Sequence, residues 1–156
     1  MKKALICTFA SLALLAAPHV GAHCQVPCGI YDDNNVIDSM HTDFITIEKA
    51  TKTIIELQKD PSANAHQLTR WINNKESHAQ AIQEKVLNYF LAQRLKPTTV
   101  DADAPAYLAK LTLCHNVIVS AMKCKQSTDS ESVVKLQSYL TEFKEKFGTK
   151  EEKAAQ

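Results

Sequence analysis

Apolar residues recur at three- and four-residue spacing in four stretches of the chain, a period typical of amphipathic helices. The first stretch covers about residues 34–59 and ends at Asp60-Pro61, because a residue that precedes proline disfavours the helical conformation. The second covers about residues 63–95 and ends at Lys96-Pro97 for the same reason. Two long helices joined by a short turn are therefore predicted.

The second half of the chain predicts two further helices. The third begins near Pro105, since proline suits the first turn of a helix, and the polar run 125–132 contains the next turn. The fourth covers about residues 130–147, with Gly148 as its C-terminal cap. Four amphipathic helices with short connections indicate an all-α fold, an antiparallel four-helix bundle.

The apolar stripes of these helices are expected to form the core, and the broad apolar surface of the third helix indicates burial between subunits. The expected positions are Ile37, Met40, Phe44, Ile47, Ile54, Ile55, Leu68, Trp71, Ile72, Ile82, Val86, Phe90, Leu95, Leu108, Leu111, Leu113, Val117, Ile118, Val119, Met122, Val133, Val134, Leu136, Leu140, Phe143 and Phe147. Residues 23–148 are thus predicted to form one bundle domain, followed by a flexible charged tail at 149–156.

The first 22 residues have the pattern of a cleaved signal peptide. Lys2 and Lys3 precede an apolar run over residues 4–17, and small residues lead to a cleavage site after Ala22. The apolar run is short for a transmembrane helix. The mature chain is therefore expected to start at His23, to be periplasmic or secreted, and to have no membrane segment.

The charge balance gives no indication of a nucleic-acid partner. The net charge of +1 would fall to about −1 once the two lysines of the leader are removed. The basic residues are scattered along the helices and are not gathered in a patch of the kind that binds phosphate backbones.

The new N-terminus would carry an unusual set of metal donors. His23 offers its α-amine, with a pKa of about 8, and its imidazole, and Cys24 offers a thiol and a backbone amide between the two groups. Amine, amide and thiolate can form two fused five-membered chelate rings, and Cys28 can complete a square plane after the bend at Pro27. Such a nitrogen and sulfur plane suits nickel or copper better than tetrahedral zinc.

A disulfide is the competing interpretation of Cys24 and Cys28, because paired cysteines in exported proteins usually form one. The histidine at the predicted N-terminus favours the metal. The string lacks the Cys-x-x-Cys-His pattern of haem attachment, and the chain contains no His-Glu-x-x-His zinc motif.

The string His23-Cys24-Gln25-Val26-Pro27-Cys28-Gly29-Ile30-Tyr31 resembles the hook motif of nickel superoxide dismutases, His-Cys-x-x-Pro-Cys-Gly-x-Tyr, at every fixed position. Residues 70–78 and 89–91 are also similar to the helical body of that family. The resemblance implies a four-helix-bundle subunit with an irregular N-terminal metal-binding hook. It also implies a homohexamer and one nickel ion per subunit that cycles between its divalent and trivalent states.

The resemblance also implies roles for single residues. His23, Cys24 and Cys28 would hold nickel, with the His23 imidazole in an axial position, and Tyr31 would position superoxide or its protons. Asp38 is the candidate carboxylate that orients the imidazole. His78 either approaches the hook of a neighbouring subunit or is an exposed helix histidine.

The remaining cysteines of the expected mature chain, Cys114 and Cys124, lie ten residues apart on the third helix. Ten residues rise about 15 Å along a helix, whereas a disulfide needs Cα atoms within about 7 Å. We therefore expect buried free thiols there, with a disulfide possible only if the helix ends before Cys124, and we expect surface positions for His41 and His66.

The function indicated is antioxidant: an oxidoreductase that dismutates superoxide to oxygen and hydrogen peroxide. An exported nickel or copper carrier could use the same hook without turnover. A disulfide-stapled helical interaction protein would contain no metal.

Overall fold

The computed structural model describes residues 33–97 and 104–149 of the chain. These ranges contain four α-helices, which confirms the predicted all-α bundle, and no strand. The helices are α1 (Asp33–Leu57), α2 (Pro61–Lys85), α3 (Ala104–Gln126) and α4 (Ser130–Phe147), and a π-helix, here called the π segment (Val86–Arg94), continues α2. The signal peptide and the tail beyond residue 149 lie outside the described residues.

The helices are antiparallel, as hydrogen bonds between neighbours show. Lys75 of α2 donates to the carbonyl of Ser127 just after α3, whereas Gln83, further along α2, donates to Ile118, further back in α3. Helices α1 and α2 are antiparallel, and so are α1 and α4, whose Asp38 and Lys144 bond near the start of one helix and the end of the other. Among the described residues, no helix has the length and apolar character needed to cross a membrane.

Aspartates begin two of the helices. Asp60 caps α2, where its carboxylate accepts from the backbone N–H of Ala63 at 3.1 Å, and Pro61 occupies the first turn. Asp129 caps α4 and accepts from the Ser132 hydroxyl and from backbone N–H groups, which lowers the pKa of this carboxyl. The predicted helices 63–95 and 130–147 therefore start where side-chain caps satisfy the first N–H groups.

The second predicted helix, at about residues 63–95, is helical over nearly all of that range, but its last part is not α-helical. From Val86 the chain follows a π-helix, in which Leu95 N–H donates to Phe90 O at 2.8 Å. Each turn of a π-helix holds more residues than an α-turn, so the faces of this segment no longer follow the α-helical period.

An aromatic cluster fills the core beside the π segment. The Phe90 ring meets Phe143 edge-on with centroids 4.6 Å apart and meets Phe147 at 5.1 Å, and the two α4 rings stack at 4.4 Å. Tyr89 meets Phe90 edge-on at 5.0 Å. Edge-to-face pairs of this kind add to the free energy gained from burial alone. The cluster joins the π segment to α4.

Several apolar positions predicted for the core are exposed in the subunit instead. Helices α1 and α2 have 25 residues each and α4 has 18. The α1–α2 hairpin is therefore about 10 Å longer than α4. The helical period indicates which side chains share a face, but not whether the same chain covers it. The exposed positions are Ile55, Ile72, Leu108, Leu111, Met122 and Val134.

One lysine is buried at the end of the bundle where α3 gives way to α4. Lys75 is 3% exposed, and its ammonium donates to the carbonyls of Lys125 at 3.4 Å and Ser127 at 2.5 Å. Burial lowers the pKa of Lys75. A cation at these carbonyls also complements the negative end of the α3 dipole.

Gly148 ends α4 as predicted, but its backbone is extended (φ −63°, ψ 138°) and not left-handed. Its N–H donates to Lys144 O, and a Cβ added here would lie 2.4 Å from that same oxygen. The next residue, Thr149, exchanges two hydrogen bonds of 3.1 Å with the Asn34 amide. Glycine is therefore required by the close approach of the backbone, and this approach ties α4 to the start of α1.

We predict that Gly148→Ala destabilises the subunit by about 1–2 kcal/mol, because the new methyl group must push Lys144 O away and disturb the bonds of Thr149. Urea unfolding of the mature protein measures this loss. The exposed α4 substitution Glu142→Ala is the control and should stay within about 0.5 kcal/mol of wild type. Equal stabilities for the two variants would contradict the steric role of Gly148.

Candidate metal centre

The predicted ligands His23, Cys24 and Cys28, and also Tyr31, lie outside the described residues. Within residues 33–97 and 104–149, no three side chains of histidine, cysteine, aspartate or glutamate come together in a group able to hold a metal. The described bundle thus offers no competing cluster of metal ligands. The side chains around the start of α1 are the part of it that adjoins the N-terminal segment in the sequence.

The first residue of α1 takes part in a polar cluster that the sequence did not reveal. Asp33 Oδ1 accepts from the Tyr89 hydroxyl at 2.5 Å and from Arg94 Nε at 2.7 Å. Arg94 Nη2 lies 2.6 Å from the same oxygen and donates to the Tyr89 hydroxyl at 2.7 Å. Burial and the bond to Asp33 raise the pKa of Tyr89, so its phenol stays protonated at neutral pH. The partners lie 56 and 61 residues away in the chain, and no local motif signals them.

His78 is half-buried, and a buried carboxylate holds it. Its Nδ1 lies 2.7 Å from Asp43 Oδ1, while Lys85 Nζ bonds Asp43 Oδ2. Since a carboxylate only accepts hydrogen bonds, His78 Nδ1 is the donor in this contact. His78 is therefore a half-buried helix histidine engaged with Asp43, and its approach to the hook of a neighbouring subunit stays a prediction. Asp43 itself, 7% exposed, was not anticipated from the sequence.

Asp38, the candidate partner of the His23 imidazole, lies on the first turns of α1 and is exposed. Its carboxylate pairs with Lys144 of α4 at 2.9 Å, and both side chains are about 60% accessible. An exposed pair of this kind contributes little to stability, so Asp38 keeps the freedom to accept another partner. Its role towards the imidazole stays a prediction.

Cys114 and Cys124 are free, buried thiols, as predicted. Helix α3 continues to Gln126 and so includes both residues, which keeps them apart. Burial raises the pKa of Cys114 to about 12 and that of Cys124 to about 11. Neither thiol is activated for metal binding or nucleophilic chemistry. His41 and His66 are exposed, as expected.

The bundle and the donor-rich N-terminal string together indicate a helical metalloprotein. The sequence model for nickel-containing superoxide dismutase matches residues 18–151, which is most of the chain. The chain therefore belongs to the nickel-containing superoxide dismutase family. It is an enzyme, an oxidoreductase that acts on superoxide with nickel as its cofactor. No curated protein and no solved structure matches the chain.

We predict that Cys114 and Cys124 of the folded protein resist alkylation by iodoacetamide at pH 8, because the protonated thiol is a poor nucleophile. Both should react fully after unfolding, and peptide mapping distinguishes them from the other cysteines. The unfolded thiols ionise near a pKa of 9.0, below the raised values, so these residues also make stability fall as pH rises above 9. Alkylation at the rate of the unfolded protein would contradict the burial.

Proposed function

We propose that the mature enzyme begins at His23 and holds its nickel through the His23 amine, the Cys24 amide and thiolate, and the Cys28 thiolate. The observation that carries this proposal is the nine-residue string from His23 to Tyr31, which has every fixed residue of the hook motif and falls inside the family match. Among the described residues there is no other group of metal ligands.

The donor set fits nickel on chemical grounds. Thiolates are soft ligands, and an amide nitrogen that has lost its proton is a strong electron donor, so the two together stabilise a higher oxidation state. The α-amine loses its proton near pH 8 and can bind without a large pH penalty. The imidazole on the same residue adds a further nitrogen donor within reach.

When bound, nickel supplies one-electron chemistry by alternating between its divalent and trivalent states. Two superoxide radicals and two protons then give one oxygen molecule and one hydrogen peroxide. Tyr31 would supply a phenol whose hydroxyl can hold the anion or relay a proton. The Cys24 and Cys28 thiolates and the His23 nitrogens hold the metal, and the bundle keeps the start of α1 in place.

Export and assembly belong to the same proposal. Residues 1–22 direct the chain out of the cytoplasm and are removed, which is the step that creates the His23 amine. The mature subunits assemble as a homohexamer. Exposed apolar side chains on α3 support assembly, since Leu108 is 55% and Met122 40% accessible in the single subunit.

We predict that a protein retaining Ala22 loses both nickel and superoxide-dismutating activity, because the peptide bond converts the His23 amine into an amide, a far poorer ligand. Intact-mass analysis, metal analysis and a superoxide assay on the processed and unprocessed forms test this. Full activity with Ala22 retained would refute the N-terminal site. Nickel bound by the processed form without turnover would instead identify a carrier.

His23→Gln with a free N-terminus is the matched variant for that experiment. It keeps the amine, the amide and both thiolates, so it should retain nickel while its activity collapses through loss of the imidazole. Full activity in this variant would refute only the role of the imidazole.

We predict that Tyr31→Phe keeps its nickel and changes activity or the inhibition by small anions, because the phenol acts on substrate and protons and is not a ligand. Metal analysis and an anion-inhibition series on the mature protein measure the two effects. Outright loss of nickel from Tyr31→Phe would mean that the assigned role is wrong.

A further inference from the structure

The polar cluster at the start of α1 joins the chain entering the bundle to the last turn of the π segment. Three contacts of 2.5–2.7 Å converge on Asp33 Oδ1, and Arg94 also donates to Tyr89, so the three side chains close a ring. The Arg94 guanidinium lies 4.9 Å from the centroid of the Tyr89 ring. A planar guanidinium with two bonds and a stacked face has little freedom to turn.

The π-helix is what makes this ring possible. Tyr89 and Arg94 are five residues apart, and on an α-helix such residues point about 140° away from each other. A π-helix hydrogen-bonds residues five apart and so brings their side chains towards one face. The backbone bond from Leu95 N–H to Phe90 O spans five residues in this way. The segment therefore presents a phenol and a guanidinium together to Asp33.

Asp33 is also the point from which the N-terminal segment departs. Cys28 lies five residues before it and Tyr31 two residues before it. A chain reaches at most about 3.6 Å per residue, so Cys28 must stay within about 18 Å of Asp33 and Tyr31 within about 7 Å. Any rotation or fraying of the first turn of α1 would be passed to the segment that carries the ligands.

We propose that Arg94 is a positioning residue for the nickel site: it acts through Asp33 to hold the first turn of α1, and thereby holds the ligand segment 23–31 in place. This inference rests on the proposed function, because it assumes that His23, Cys24 and Cys28 hold the metal. Arg94 itself contacts neither metal nor substrate in this assignment.

The test uses the mature protein with its native His23 N-terminus and compares Arg94→Gln, Asp33→Ala and the double variant with wild type. Ile54→Val is the stability control, because Ile54 is 1% exposed and lies near the other end of the same helix, about 30 Å away. Four quantities are measured: nickel content, the electron paramagnetic resonance spectrum of the oxidised site, kcat and KM for superoxide, and amide hydrogen exchange of nickel-free protein over residues 29–40.

We expect each single variant to retain nickel, to show an altered resonance spectrum and to lose roughly tenfold in kcat, as misplacement of a reactive centre does. The double variant should be no worse than either single one, because both substitutions break the same link. Hydrogen exchange over residues 29–40 should rise about fivefold in all three, and it should not change in Ile54→Val.

Two results would overturn the proposal. One is a wild-type spectrum, kcat and exchange rate in Arg94→Gln. The other is a lower rate in Arg94→Gln with a higher rate in Asp33→Ala, since charges of opposite sign that merely steer superoxide must act in opposite directions. Hydrogen exchange of nickel-free protein reports on the Arg94 link directly. A wild type without nickel would refute the proposed metal site, and unchanged exchange would refute the role of Arg94.

Discussion

The packing of Phe90 against Phe143 and Phe147 is the contact on which the end of the bundle beside the N-terminal segment depends. Phe90 lies in the middle of the π segment and is fully buried, so its position determines how that segment is turned about its axis. Tyr89 and Arg94 are turned with it towards Asp33. Loss of the ring would leave a cavity at the junction of two elements, a change that typically costs about 3–5 kcal/mol. The polar ring at Asp33 therefore depends on the packing of Phe90 against α4.

Three polar links join the first turns of α1 to the rest of the fold. Asp33 bonds the π segment, the Asn34 amide bonds Thr149, and Asp38 pairs with Lys144. They differ in strength, because Asp33 is mostly shielded from water whereas Asp38 is exposed. The bonds of Asp33 are the ones able to fix the orientation of the helix start, whereas Asp38 can leave Lys144 for another partner. The start of α1 therefore combines a shielded ion pair at Asp33 with an exchangeable carboxylate five residues later, at Asp38.

The sequence predicted the fold, and it allowed a donor set to be proposed, because both patterns lie in short stretches of the chain. Helical periods and the Asp-Pro pair at residue 60 are local, and the hook donors form one continuous string. The carboxylate of Asp43 beside His78, and Asp33 beside Arg94, join residues 35 and 61 positions apart, so they follow only from the packed bundle. The π segment was missed because its apolar residues also fit an α-helical period. The exposure of Val134 on α4 was missed because the helical period shows which side chains share a face but not whether the rest of the chain covers that face.

A metal site built on an α-amine places a physical demand on the rest of the chain. The amine exists only at a terminus, and the last residues of a chain are poorly ordered unless they are tied down. The ligands of such a site cannot be held by neighbours on both sides along the chain, as ligands within a helix are. Metal binding orders the donors relative to one another, but it does not order them relative to the groups that handle substrate and protons. In the role proposed for Arg94, that second task falls on the first residues of α1, and the half-buried ion pair there supplies orientation although such pairs add little net stability. A carboxylate held by a guanidinium and a phenol keeps one orientation, whereas an apolar contact would allow several. The ion pair at Asp33 therefore fixes the orientation of the first turn of α1.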